Sequence, residues 1–258
     1  MATDTTAPRV GMMLYGVVPS DVEPTGSAQG VGNPPADVTT VTEDDLAALV
    51  SDVPLDRPLG RPDDLTAYQR LLDGTAAVAP VLPVRFGTVL RDAEAIRQLL
   101  ADQHDMIAPL LDRLEGRVEY VVRGRYIENA VLAEILDTDA DARQLREYIQ
   151  ERPEQETTQQ RMALGERING AIEAMRQADT QTAVDRIGKV VEDLVVAEPT
   201  HDLDAVHLPV LVEQAHRAEF DAVLAELADG WNGRVEMRSL GPSAPYDFVN
   251  RLALTRDD

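Results

Sequence analysis

Hydrophobic residues fall into two rhythms along this chain: short runs of strand length and longer stretches with a helical repeat. Residues 10–18 form a short apolar run and read as a buried strand. Residues 19–35 have no periodicity and carry Pro24, Gly26, Gly30, Gly32, Pro34 and Pro35, which predicts a long mobile loop. Residues 38–41 and 46–50 flank Thr42-Glu43-Asp44-Asp45 and predict a β-hairpin; residues 44–53 also admit a short helix. Pro54, Pro58, Gly60 and Pro62 then break the chain. Asp63-Asp64 opens a helix with Leu65, Tyr68, Leu71 and Leu72 on one face, two acids that suit the helix dipole, and Gly74 weakens its end. Residues 81–89 are apolar but hold Pro83 and Gly87, which fits a short buried or edge strand. From Asp92 onward Ile96, Leu99, Leu100, Ile107, Leu110, Leu111 and Leu114 recur at helical spacing. Pro109 is expected to kink or restart that helix and Gly116 to end it; residues 118–126 return as a strand.

This order suits an α+β sandwich with helices on one face of a mainly antiparallel sheet, a ferredoxin-like domain over residues 1–126. The pattern then changes. Residues 127–197 read mostly as helix, with Leu164, Ile168, Ala171, Ile172 and Met175 as one stripe and Val184, Ile187, Val191 and Leu194 as another. Pro153 and residues 154–160 interrupt the first part. A strand at 208–212, a helix at 217–227 and a strand at 234–240 follow. Residues 127–258 therefore predict a second α+β domain, a helical unit plus a β-α-β element. Residues 1–8 are polar and expected to fray.

Charge narrows the function. The chain has 258 residues, 24 basic and 46 acidic, for a net charge of −22. Phosphate backbones and anionic membrane surfaces would repel it, so neither nucleic acid nor a lipid membrane is an expected partner. Asp outnumbers Glu 27 to 19, and Lys189 is the only lysine. A surface rich in short, strongly hydrated Asp and poor in Lys suits high salt, where a Debye length of ~3 Å at about 1 M also screens self-repulsion. The composition reads as that of a halophile's cytoplasmic protein; an ordinary acidic protein of an Arg-favouring genome is the plainer reading. No cysteine is present, which excludes disulfides, thiolate metal sites and cysteine nucleophiles. The run at 10–18 is not read as a signal segment, since Asp4 precedes it and Pro19-Ser20-Asp21 follows, and no run approaches membrane-helix length.

The familiar catalytic signatures are missing. Gly188-Lys189 stands alone, and no GxGxxG, GxSxG or HExxH pattern occurs, so an enzyme is not expected and no cofactor is called for. His201, His207 and His216 lack a compact ligand spacing. Asp137-Thr138-Asp139-Ala140-Asp141 imitates a calcium loop, but Ala142 replaces the turn glycine and Tyr148 the bidentate glutamate.

Two segments stand apart. One is Pro80-Val81-Leu82-Pro83-Val84-Arg85-Phe86-Gly87-Thr88, which sets one arginine inside an apolar run. Its place between Val84 and Phe86 in an apolar strand predicts a substantially buried Arg85 paired with a carboxylate or main-chain carbonyls, as an internal pair or as a fixed interface contact, and strand alternation puts it on the sheet face away from the main core. The other is Leu240-Gly241-Pro242-Ser243-Ala244-Pro245-Tyr246-Asp247-Phe248-Val249, which holds two of only ten aromatic residues. It reads either as a clasp packed on its own domain or as an exposed aromatic docking site.

These two segments, with Leu14-Tyr15-Gly16-Val17-Val18, resemble the gas vesicle protein F/L family, in that family's order from first strand to last. Ser243-Ala244 departs from its closing motif, and residues 127–160 match it poorly. The resemblance implies a ferredoxin-like N-terminal domain, a C-terminal α+β domain and no catalytic activity. It also implies an accessory protein of gas vesicle assembly whose partners are the small hydrophobic shell protein and other accessory proteins. Such a protein would keep shell subunits soluble and aid nucleation of the vesicle wall. Arg85, Phe86, Tyr246 and Phe248 are the candidate partner contacts. The competing readings are a small-ligand-binding or regulatory α+β protein, and an enzyme whose carboxylates hide among the surface acids.

Overall fold

The computed structural model describes residues 10–24, 28–55 and 59–249, so the fraying expected at 1–8 lies outside them. The chain divides into two compact units. One comprises residues up to Glu119 together with those from Pro242 onward; the other is Tyr120–Gly241. A single boundary after Tyr126 is thus replaced by two crossings, and the terminal segment belongs with the first unit.

The first unit runs through β1 (Val10–Pro19), β2 (Gln29–Gly32), β3 (Pro35–Asp37), β4 (Thr39–Glu43), β5 (Leu46–Pro54), α1 (Pro62–Ala76), β6 (Leu82–Pro83), β7 (Val89–Leu90) and α2 (Ala93–Leu114). It then enters β8 (Arg117–Tyr126). The sheet order is β4-β5-β1-β6, with β7 also on β1, and these pairings are all antiparallel. The β4–β5 hairpin turns at Asp44-Asp45, with Asp44 at φ 50, which disposes of the short-helix alternative.

Both faces of this sheet are covered, contrary to the one-sided arrangement expected. On one face Met13, Tyr15 and Val18 of β1 and Ala47, Leu49 and Val53 of β5 pack against Tyr68, Leu72 and Ala76 of α1 and Val31 of β2. The alternate residues Leu14, Ala48 and Val50 are buried on the other face, where α2 lies over β1, β4 and β5 with Ile96, Leu100, Ile107 and Leu111 inward. Asp92 caps α2 by accepting from Ala95 N at 2.9 Å, and the helix passes through Pro109 without a break.

The Gly/Pro-rich stretch is not a bare loop, because it contains the β2–β3 hairpin. The tie is specific. Val31 N donates to the Tyr15 hydroxyl at 2.8 Å, and that hydroxyl lies 2.7 Å from Ser51 Oγ. Gly30 permits the approach, since a Cβ there would stand 2.2 Å from Tyr15 Oη.

The second unit continues from β8 through α3 (Glu128–Thr138), α4 (Ala140–Gln150), α5 (Thr158–Ile187), β9 (Asp193–Leu194), β10 (Asp204–Glu213), α6 (Arg217–Gly230) and β11 (Val235–Ser243). Its sheet order is β11-β8-β10-β9, and the α+β class holds for both units. Leu208, Val210 and Val212 of β10, Ile187 of α5 and Phe220 of α6 are fully or almost fully buried. Two carboxylates of this unit, Asp179 and Asp204, are buried among the described residues. Asp179 is 7% exposed; it accepts from Tyr126 Oη at 2.6 Å and from Arg234 Nη1 and Nη2 at 2.9 and 2.5 Å. Burial and the adjoining Asp179 push the Tyr126 hydroxyl far up.

Candidate partner-binding site

The two distinctive sequence segments meet on one residue of the first unit, Tyr68 of α1. The helix forms because Asp63 and Asp64 occupy its first turn after Pro62, with Asp64 Oδ2 accepting from Arg61 N at 3.2 Å. One face then carries Tyr68, Leu72 and Ala76 into the core. Phe86 meets the Tyr68 ring edge-on at 5.4 Å, Tyr246 approaches it at 6.5 Å, and Tyr15 stacks beneath at 6.1 Å. The Tyr68 hydroxyl donates to the Val84 carbonyl, and burial pushes its pKa up to about 12.

Arg85 is exposed, which corrects the expectation of a buried, paired guanidinium. Val84 N donates to Tyr15 O and Leu14 N to Thr88 O, both at 2.9 Å, so β6 and β7 are two halves of one strand along β1. Residues 85–87 loop out between them. Thr88 N and Thr88 Oγ1 both donate to Arg85 O, at 3.2 and 2.8 Å, and Gly87 supplies the positive φ of 83°. The loop takes Arg85 out of the strand in which it was expected to be buried. No side-chain hydrogen bond or ion pair holds its guanidinium among the described residues.

The terminal segment is folded down. Ala244 and Phe248 are buried, at 0% and 3% exposure, and Tyr246 is half-buried. Ala244 N donates to Asp73 Oδ1 at 2.9 Å, and the Tyr246 hydroxyl donates to the same oxygen at 3.2 Å. Asp247 N donates to Glu119 Oε2 at 2.9 Å, and Ser243 Oγ to Glu119 O at 3.3 Å. Glu119 is 1% exposed, and burial pushes its pKa up to about 8. The Asp247 N–H opposes that rise, and the charges of Asp247 and Asp73 add to it. The segment is therefore a clasp on the first unit, and Phe248 offers no surface while the clasp is closed.

Beside this cluster α1 and the β2 side of the hairpin enclose a groove of about 730 Å³. Its lining is mixed: Val22, Ala28, Leu49 and Leu71 are apolar, while Glu23, Arg61, Asp63, Asp64 and Arg70 are charged. Sequence reading missed it because one wall is built from the stretch taken for a loop. The signal lay in Ala67 and Leu71, apolar residues on the flank of α1.

The histidines are engaged with their neighbours. His207 Nε2 lies 3.0 Å from Arg123 Nη2 and its Nδ1 2.8 Å from Glu198 O, while His201 Nδ1 accepts from Leu203 N at 3.1 Å. His216 faces Glu213 at 3.4 Å. Among the described residues no group of three or more His, Asp or Glu side chains is arranged to hold a metal ion. No helix among them is long and apolar enough to cross a membrane.

Comparison with known proteins matches residues 11–250 to the model of a family described as gas vesicle synthesis protein GvpL/GvpF. The chain is 32% identical over 221 residues to gas vesicle protein F of Streptomyces sp. (strain CB03234), covering 85% of this chain and 91% of that protein. It is 28% identical over 244 residues to gas vesicle protein L of the same organism, covering 86% of each. The fold resembles the crystal structures of GvpF from Anabaena sp. PCC7120 and from Microcystis aeruginosa, with TM-scores of 0.78 and 0.73. Each is 21% identical to this chain and covers 93% of it and 98% of the solved chain.

Proposed function

The chain belongs to the gas vesicle synthesis protein GvpL/GvpF family, and from that premise we propose that it is an accessory protein of gas vesicle assembly. In this reading it binds the small, hydrophobic shell protein and other accessory proteins, keeps shell subunits soluble and aids nucleation of the wall. The observation that carries the reading is the family match across residues 11–250, which takes in both units. A ligand-binding or regulatory protein without a gas vesicle role has no comparable support.

The groove beside α1, with Val22, Ala28 and Leu71 among its lining residues, is the opening assigned in this reading to a shell-protein segment. The first unit's sheet offers no free face, being covered by α1 and the hairpin on one side and by α2 on the other, and Phe248 is buried in the clasp. Arg85 and Phe86, on the loop between β6 and β7, and the half-buried Tyr246 remain as contacts on the same unit. The −22 charge keeps a protein with such an opening soluble.

A pull-down from cells making gas vesicles, at native salt, with partners identified by mass spectrometry, tests the proposal. The shell protein is the expected partner. Its absence, with the bait folded and abundant, would remove the proposal.

A further inference from the structure

Strand β11 is an edge of the second unit's sheet: β8 pairs with one side of it, and no strand among the described residues pairs with the other. Glu236, Arg238, Ser239 and Leu240 along it are exposed, Leu240 at 55%. An unpaired edge is a template for another strand, and folded proteins blunt such edges with charge, proline or bulges. The charges here have opposite signs at alternate positions. Arg238 Nη2 lies 3.7 Å from Glu236 Oε2 on the same face, with the two side chains 76% and 61% exposed. The edge's proline, Pro242, comes only near its end.

We infer that β11 pairs antiparallel with β11 of a second copy of this chain, about a two-fold axis through Met237. In an antiparallel ladder, opposite residues share the same hydrogen-bonding orientation. A two-fold axis can therefore pass through a residue position but not between two. An axis at Met237 sets Glu236 opposite Arg238 twice, Val235 opposite Ser239 and Arg234 opposite Leu240. An axis at Glu236 opposes Glu236 to itself and Arg234 to Arg238, and an axis at Arg238 opposes Arg238 to itself. An axis at Ser239 draws Pro242, which has no N–H, into the ladder. Opposite charges directly across stabilise a strand pair and like charges destabilise it, so the charge pattern selects Met237. The occupant it fits is this strand itself. So short a ladder buries little area, and the dimer is weak and concentration-dependent. Each copy carries −22; molar salt screens that long-range repulsion far more than it screens opposed charges in contact at about 4 Å, so the dimer forms in molar salt and is suppressed in dilute buffer.

The absence of cysteine makes the test clean. In the Met237→Cys full-length protein the two thiols face one another across the axis. Opposed Cα atoms lie about 4.5–5.5 Å apart, within disulfide range. In Leu240→Cys they are separated by roughly 20 Å along the strands. Under mild oxidation in molar KCl, Met237→Cys is expected to give covalent dimer at least roughly fivefold faster than Leu240→Cys. Equal rates, or faster reaction of Leu240→Cys, overturn the inference. In sedimentation at high concentration Glu236→Arg and Arg238→Glu are each expected to shift the chain toward monomer, and the double swap to restore the dimer. A double swap no better than either single change, or a wild-type chain that stays monomeric in molar salt at several hundred micromolar, also overturns it. Far-UV circular dichroism checks that each variant is folded.

Discussion

Glu119 Oε2 accepts a hydrogen bond from the main-chain N–H of Asp247 at 2.9 Å, which ties β8 to the end of the described chain through a carboxylate that is 1% exposed. Burial raises the Glu119 pKa from 4.5 to about 8. An acid with a raised folded pKa holds a proton in the folded state that the unfolded chain has released. Stability therefore falls as pH rises from about 4.5 through 8 and levels off above that. Glu119→Gln is expected to be near neutral at pH 5 and to stabilise the chain by roughly 1–3 kcal/mol at pH 9. Urea unfolding at the two pH values measures it, and an equal effect at both would show that Glu119 does not titrate this way.

The terminal clasp and the exposed loop give opposite expectations. Phe248→Ala removes a buried ring and should cost roughly 3–5 kcal/mol. Arg85→Ala removes an exposed side chain and should change stability by less than about 0.5 kcal/mol. Denaturant midpoints of the two variants decide whether the terminal segment is structural and the loop is free.

Asp179 is held in the second unit by Arg234 and Tyr126. Arg234→Ala leaves that carboxylate inside the core without its cation, at a cost of roughly 3 kcal/mol. Replacing both residues with apolar side chains should cost less than the Arg234→Ala change alone. A double-mutant cycle on chemical unfolding measures the coupling.

Folding should depend strongly on salt. With a net charge of −22, repulsion within the compact chain is unscreened in dilute buffer and relieved in molar salt. Thermal unfolding in about 2 M KCl is expected at a higher midpoint than in dilute buffer. An unchanged or lower midpoint would remove the salt-adaptation reading of the composition.

Binding to the shell protein should behave differently from an ion-paired complex. Apolar association survives salt that screens charge pairs. Affinity is expected to persist from low to molar KCl wherever this chain remains folded. A collapse as salt rises would mean that charge pairing carries the contact.

Periodicity alone located α1, α2, β8, β10, α6 and β11, because each pairs a clear repeat with a clear stop. Three features escaped it for physical reasons. The β2–β3 hairpin is tied down by the Tyr15 hydroxyl, a long-range bond that no local pattern carries. The looped-out residues 85–87 sit in an apolar run, and apolarity does not show where a strand bulges. The destination of the clasp depends on Asp73 and Glu119, two carboxylates among 46 acids. Aromatic content marked two segments whose rings, Phe86 and Tyr246, converge on Tyr68. It did not show that they are half-buried there.

The return of residues from Pro242 onward to the first unit sets an order of events during synthesis. Translation proceeds at about 5–20 residues per second, so roughly 6–25 s separate the emergence of Glu119 from that of its donor. For that interval the nascent first unit has a carboxylate prepared for burial and a Tyr68 ring without its Tyr246 neighbour. A ribosome stalled anywhere in the second unit therefore displays an unfinished first unit, and a chaperone or early partner that reads exposed aromatic surface has that window in which to act.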